Sequence, residues 1–290
     1  MDAHTGSDAT TTPAALDGRE TLNASSTIAF LHTVADAVDA LTLERYERRR
    51  LTVDTKPDNS PVSDADRAAE RLIREYLERD FPGDAVYGEE EGGSLEHAPR
   101  RWIIDPIDGT RNYVRHNPVW ATLIGVEENG QMVAGMASAP ALGRRWWASR
   151  GGGAWLSENG GEPQRLRVSD IDRMDRAAFG FSSLSSWDET GRMPTLIAFA
   201  RATWGTRAYG AFWPYMLLAE GAFDIAAQPG LDVYDMAALV PIVEEAGGTF
   251  TSLEGKPGPW WGSALVTNGK LHAAAQAIIN ETHVQPGSRE

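Results

Sequence analysis

An α/β protein built in layers is expected from three features of this chain. Helical and strand-like apolar spacings alternate from residue 177 towards the C-terminus. Two short apolar runs, Ala85–Tyr87 and Trp102–Ile104, read as buried strands that pass directly into carboxylates. Asn129-Gly130 divides Val119–Glu128 from Gln131–Ser138, which is a strong hairpin signal.

The elements follow in order. Residues 1–25 are rich in Thr, Ala, Asp and Ser without periodicity and read as a disordered tail. Leu31, Val34, Val38 and Leu41 recur at helical spacing within Thr27–Arg49, and the basic run Arg48-Arg49-Arg50 suits a helix C-terminus. A polar loop with two prolines occupies residues 55–61. Ala69, Leu72, Ile73, Tyr76 and Leu77 then mark a second helix, with Ser63 and Asp66 placed as a capping box. Arg145–Ala148 reads as a strand, and Gly151-Gly152-Gly153 and Asn159-Gly160-Gly161 as turns. The glycine triplet lacks the following Lys-Ser/Thr of a phosphate-binding loop, so it receives no nucleotide role. A composition shift around 140–170 divides an N-terminal half, 26–150, from a C-terminal half, 151–290. In the second half, strands are expected at Ala177–Phe181, Phe223–Ala227, Thr249–Thr251 and Leu265–Thr267. Helices are expected at Thr195–Ala202, Phe212–Glu220, Asp235–Ala246 and Leu271–Ile279, the third ending at Gly247-Gly248. Small residues after Asp235 suit close packing of that helix.

Composition narrows the function classes. A net charge of −14 argues against a nucleic-acid or anionic-membrane surface. The absence of cysteine excludes disulfides, thiolate metal sites and thiol catalysis. No apolar run approaches membrane-spanning length and no basic-then-apolar leader opens the chain, so a soluble cytoplasmic protein is expected. The six histidines show no metal-ligand spacing, and His116 alone stands near the acidic motifs.

The chemistry centres on Trp102–Thr110. After the apolar run, Asp105 and Asp108 stand on either side of Pro106, and Gly109-Thr110 opens a turn. Two carboxylates beside the Ile107 carbonyl, expected to be free because the strand has ended, suit hard cations. Gly109 lets backbone N–H groups approach an anion closely, and Thr110 adds a hydroxyl. Taken singly, each motif has a plain structural reading. These are an Asp-Pro-Gly turn here, a solvated loop at Glu89-Glu90-Glu91, a helix cap at Asp66, an N-terminal cap or dipole partner at Asp235 and a loop lysine at Lys56. Repetition of form shifts the weight. Ligands in open α/β sheets sit at strand ends, so adjacent strands would bring Glu89, Asp105 and Asp108 together.

Three motifs occur in a telling order: Gly88-Glu89-Glu90, then Asp105-Pro106-Ile107-Asp108-Gly109-Thr110, then Tyr234-Asp235-Met236-Ala237-Ala238 with Glu245-Ala246-Gly247-Gly248. Together they resemble the inositol monophosphatase superfamily of magnesium-dependent phosphatases. Within it, residues 55–66, Arg207-Ala208-Tyr209-Gly210 and residues 231–241 are most similar to the histidinol-phosphate phosphatases of actinobacterial type. The resemblance implies an αβαβα sandwich of the inositol monophosphatase and fructose-1,6-bisphosphatase type. It implies a first Mg²⁺ on Glu89, Asp105 and the Ile107 carbonyl, a second on Asp105, Asp108 and Asp235, and Glu89 assisting a third. These ions would acidify the attacking water and offset charge on the leaving oxygen. Thr110 paired with Asp66 would orient and deprotonate that water, with Glu89 also in the catalytic set. Gly109 and Thr110 would hold the phosphate, and Arg207, Ala211 and Gln228 would lie on the substrate side. A small phosphate monoester is the expected substrate, and a homodimer the expected assembly.

Ala211 and Gln228 depart from the resembled pattern, which carries acids at both positions. Histidinol phosphate, a monoester whose alcohol part is cationic, is the leading substrate. Each lost charge-assisted hydrogen bond is worth about 1.5–3 kcal/mol, which makes inositol monophosphate or another small polyol phosphate the alternative. A metal- and phosphate-binding homologue without turnover is the non-enzymatic alternative. Tyr209 and Trp213 could stack on an imidazole, although aromatics beside a helix more often belong to a core.

Overall fold

The structure, a computed structural model, describes residues 24–48, 51–56, 61–96 and 98–282. Residues 1–23 of the expected tail, Arg49 and Arg50 of the basic run, and residues 57–60 of the proline loop lie outside the described residues. No described helix is long and apolar enough to cross a membrane.

Five layers stack as helix, sheet, helix, sheet, helix, as the resemblance implied. The outermost helices are α1 (Ala24–Arg48) and α2 (Asp64–Asp80). Between them β1 (Val53–Thr55) and β2 (Pro61–Ser63) make a small antiparallel pair. The first large sheet contains β3 (Ala85–Gly88), β4 (Gly92–Gly93), β5 (Arg100–Asp108), β6 (Ala121–Glu128), β7 (Gln131–Ala139), β8 (Arg144–Ser149), β9 (Gly153–Glu158) and β10 (Gln164–Arg165). Its strand order is β10-β9-β8-β7-β6-β5-β3-β4. A short helix, α3 (Thr110–Val114), follows β5. The second sheet is ordered β12-β11-β13-β15-β14. Its strands are β11 (Ala178–Phe181), β12 (Gly205–Ala208), β13 (Ile225–Pro229), β14 (Thr249–Thr251) and β15 (Ser263–Thr267). Helices α6 (Trp213–Ala219), α7 (Val233–Met236) and α8 (Leu239–Glu245) lie between the sheets. Helices α4 (Leu184–Glu189), α5 (Met193–Ala202) and α9 (His272–Thr282) cover the far side.

Period-two alternation drives this layering. Trp102 and Ile104 pack towards Leu31, Val34, Val38 and Ile73 of α1 and α2. Ile103, between them, joins Trp146, Met216 and Val243 on the opposite face. Asn129 and Gly130 both have positive φ, 51° and 84°, the backbone of a tight hairpin turn.

Several elements escape the sequence pattern. In β9 only a short set of residues faces inward, and β12 is largely exposed, held to β11 by backbone pairing. In α4 only Trp187 is buried, and α3 is a single turn. The helix expected over Asp235–Ala246 is two pieces, α7 and α8, separated by Ala237-Ala238. Asp232, not Asp235, is the N-cap of α7, and Asp235 is its capping-box partner at the third helical position. The glycine triplet turns around the carboxylate of Glu245, which accepts the Gly151 and Gly153 N–H groups at 2.7 and 2.8 Å.

Close packing of the α7–α8 junction depends on two strand glycines. A Cβ on Gly125 would lie 2.8 Å from Ala237, and one on Gly135 would lie 2.2 Å from the Ala238 carbonyl oxygen. These glycines and alanines let the segment carrying Asp235 press directly on the first sheet.

Candidate active site

The strand at Trp102 does not stop at Ile104; it continues to Asp108 with an interruption. Residues three apart on a regular strand point to opposite faces. Here Asp105 pairs with Leu123 and Asp108 with Ala121, so Pro106 and Ile107 together face Thr122. This bulge reverses the alternation and turns both carboxylates to one side. The Thr122 hydroxyl pins it by donating to the Pro106 carbonyl at 2.8 Å. The Ile107 carbonyl is therefore not wholly free, since it accepts the Thr110 hydroxyl at 3.0 Å. Its second lone pair remains available to a ligand.

Asp235 completes the cluster from the other half of the chain. Single carboxylate oxygens of Asp105, Asp108 and Asp235 lie within 4.8 Å of one another. Asp108 accepts the Phe212 N–H at 2.6 Å, and Asp235 accepts the Asp232 N–H at 2.7 Å, so both are held from behind. Burial pushes the Asp108 carboxyl up to about 7. Burial and then the charge of Glu89 raise Asp105, whereas burial and then the charge of Asp108 raise Asp235. An all-oxygen set of buried, mutually repelling acids fits a hard divalent cation, which would relieve both penalties.

Glu89 stands beside this group at the end of β3, where β3 pairs in parallel with β5. Its N–H continues the ladder to the Ile104 carbonyl at 3.1 Å. The adjacency expected from the sequence is therefore present. Its side chain is held by Lys56, whose ammonium reaches Glu89 at 2.8 Å and Glu90 at 2.7 Å. Burial would lower the Lys56 pKa, but its bonds to both glutamates keep it above the usual lysine range. The sequence alone reads Lys56 as a loop lysine, because no local pattern shows that it meets an acidic turn 33 residues further on.

Asp66 satisfies both of its readings. One oxygen accepts the Ser63 N–H and hydroxyl at 2.8 and 2.6 Å, completing the capping box of α2. The other accepts the Thr110 hydroxyl at 3.1 Å. Burial raises its pKa against these bonds. Gly109 precedes Thr110 with φ of 90°, and an added Cβ would meet the Val119 carbonyl at 3.1 Å and Ala211 at 3.2 Å.

Glu89, Asp108, Gly109, Thr110 and Asp235 line a cleft of about 890 Å³. Ser182, Ser183, Ser185, Ser186, Ala211, Tyr215 and Gln228 also line it. Ala211 has φ of 55°, a left-handed backbone that an alanine adopts at a cost. Its N–H is held by the Ser182 hydroxyl at 2.9 Å. Gln228 is buried, with Oε1 accepting the Ser182, Ser183 and Trp187 N–H groups at 3.0, 3.1 and 3.2 Å. Its Nε2 donates to the Ser183 and Pro229 carbonyls at 3.2 Å each. An amide fits this position because it both donates and accepts; a carboxylate could not satisfy those carbonyls. Arg207 is not in the cleft lining but on exposed β12, bonded to the Thr206 carbonyl at 2.7 Å. Trp213 packs edge-on against Trp146, and Tyr209 stacks on Phe223. The His116 ring lies against Tyr46, away from the cleft lining.

Comparisons with known proteins agree with this fold. The model of the inositol monophosphatase family matches residues 23–286. A histidinol-phosphatase of Streptomyces coelicolor is 52% identical over 256 residues, covering 87% of this chain and 96% of that protein. One from Mycobacterium tuberculosis is 53% identical over 247 residues, covering 85% and 95%. The crystal structure of the extragenic suppressor protein suhB from Bartonella henselae superposes with a TM-score of 0.80 at 26% identity, covering 88% of this chain and 99% of that one. The chain belongs to the inositol monophosphatase family, and with it to the phosphoric monoester hydrolases.

Proposed function

We propose that this protein is a Mg²⁺-dependent phosphomonoesterase whose substrate is histidinol phosphate, hydrolysed to histidinol and phosphate. The observation that carries the chemistry is the meeting of Asp105, Asp108 and Asp235, from separated chain segments, within 4.8 Å. Glu89, Asp105, Asp108, Asp235 and the Ile107 carbonyl would hold two or three ions. When bound, Mg²⁺ supplies an acidified water and positive charge for the leaving oxygen. The Thr110 hydroxyl, held between Asp66 and the Ile107 carbonyl, orients the attacking water. Asp66 is the proton acceptor behind it, its other oxygen anchored by Ser63. The backbone of Gly109 and Thr110 cradles the phosphate, with glycine leaving the approach open.

Identity above half with two histidinol-phosphatases supports the substrate. The serine-lined cleft, with uncharged residues at 211 and 228, favours a small polyol phosphate such as inositol monophosphate as the second reading. The test is phosphate release from histidinol phosphate, inositol 1-phosphate, glycerol 2-phosphate and fructose 1,6-bisphosphate, with and without Mg²⁺. A Mg²⁺-dependent preference for histidinol phosphate supports the proposal, a preference for the polyol esters replaces it, and release from none of them with Mg²⁺ binding intact refutes turnover on this class. We also place the protein in the cytoplasm as a homodimer, which fractionation and light scattering would check.

A further inference from the structure

A second buried acid on α2 lies behind the turn that presents Glu89. Glu70 is fully buried. Its Oε2 accepts the Glu90 N–H at 2.7 Å and its Oε1 the Glu91 N–H at 3.2 Å. Arg74, one helical turn later, donates to Oε1 at 2.9 Å and also holds the Gly92 carbonyl at 2.6 Å. Gly88 makes the approach possible, because a Cβ there would fall 2.0 Å from Glu70 Oε1. The segment 88–92 is thus wrapped around one carboxylate. Asp66 and Glu70 stand four residues apart, on one face of α2. A single helix therefore reaches Thr110 with one acid and the Glu89 turn with the other.

We propose that Glu70 is a positioning residue that fixes the Glu89 carboxylate for metal binding, with Arg74 neutralising its buried charge. This rests on the reading of Glu89 as a Mg²⁺ ligand. Glu70 touches neither substrate nor ion. It acts by holding the backbone N–H groups of the two residues that follow Glu89, which decides where Glu89 points.

The test compares wild type, E70Q, E89Q and the double variant by calorimetric Mg²⁺ titration and by the rise in melting temperature on adding Mg²⁺, alongside phosphate release. Glutamine keeps the shape and one acceptor. Loss of a supporting contact to a metal ligand costs about 10–100-fold in metal affinity, and E70Q is expected to weaken Mg²⁺ binding by about 10-fold. In the E89Q background the same change should alter affinity by less than about twofold, because the two act through one ligand. Unchanged Mg²⁺ affinity in E70Q, with only a lower melting temperature, would overturn the proposal. So would an equal loss in both backgrounds. If E89Q itself leaves Mg²⁺ binding untouched, Glu89 is not a ligand and both readings fall, which the single variants distinguish. Should E70Q not fold, G88A presses on the same carboxylate from the other side. It is expected to weaken Mg²⁺ binding in the same way, and wild-type affinity in G88A would overturn the proposal.

Discussion

Replacing Gly135 with alanine tests how Asp235 is held in place. The added Cβ would sit 2.2 Å from the Ala238 carbonyl oxygen and 2.8 Å from Pro241. Ordinary carbon contacts are near 3.5 Å, so the α7–α8 junction must recede by roughly 1 Å. Overpacking of this kind costs about 1–3 kcal/mol. For a chain of this size that lowers the melting temperature by roughly 2–4 °C per kcal/mol. The larger effect is on chemistry, since Asp235 rides on the displaced segment. A misplacement of about 1 Å in a catalytic constellation costs on the order of 100-fold, and that is the expected loss in kcat/KM. Phosphate release at saturating Mg²⁺, with a thermal melt of the same sample, measures both. Gly205→Ala is the control, because nothing lies within 4 Å of its Cβ. A Gly135→Ala protein with kcat/KM within twofold of wild type would refute the reasoning, and Asp235 would then be positioned by its cap alone.

Other consequences follow from the same structure. The metal-free protein should lose stability as pH rises from 5 to 8. Asp105, Asp108 and Asp235 have pKa values raised in the folded state, Asp108 to about 7, so the protonated cluster is tolerated at low pH and charge repulsion grows above it. Melts in EDTA should show a falling Tm across that range, reversed by Mg²⁺ most strongly at pH 8; a flat profile would mean the acids are not mutually strained. Thr110→Ala removes the hydroxyl held by Asp66 and proposed to orient the attacking water, and kcat should drop by about 100-fold or more with Mg²⁺ binding kept, as steady-state kinetics and calorimetry would report. Asp105→Asn should abolish turnover in the phosphate-release assay; retention of wild-type turnover would exclude Asp105 from the metal site. Glu127→Ala strands Arg101, with which Glu127 forms a buried pair at 2.6 Å. Breaking such a pair costs about 3–5 kcal/mol, measurable by urea unfolding, with no direct effect on the cleft.

The acidic motifs were legible before any fold was known, because each places carboxylates where an apolar run meets a glycine or a bend. Sequence spacing also showed the capping box at Ser63 and Asp66, the hairpin at Asn129-Gly130, and the small residues after Asp235. What local pattern cannot contain is direction across the chain. The bulge that turns Asp105 and Asp108 to one side depends on how β5 registers with β6. Lys56 meets Glu89, 33 residues away in the sequence, only in the folded chain. The role of Gln228 likewise depends on Ser182, Ser183 and Trp187 at the start of α4, which are far from it in sequence and supply most of its partners. Strands such as β9 and β12 stayed hidden because β9 buries only Gly153, Ala154 and Leu156, and β12 buries none of its residues, which is too little to imprint an alternation. Residue type and spacing thus determined the chemistry available to this protein: hard oxygen ligands, a hydroxyl beside an acid, and no thiols. The tertiary structure alone decided which of those groups converge, because convergence is set by strand register and by the close packing of glycine against alanine between layers.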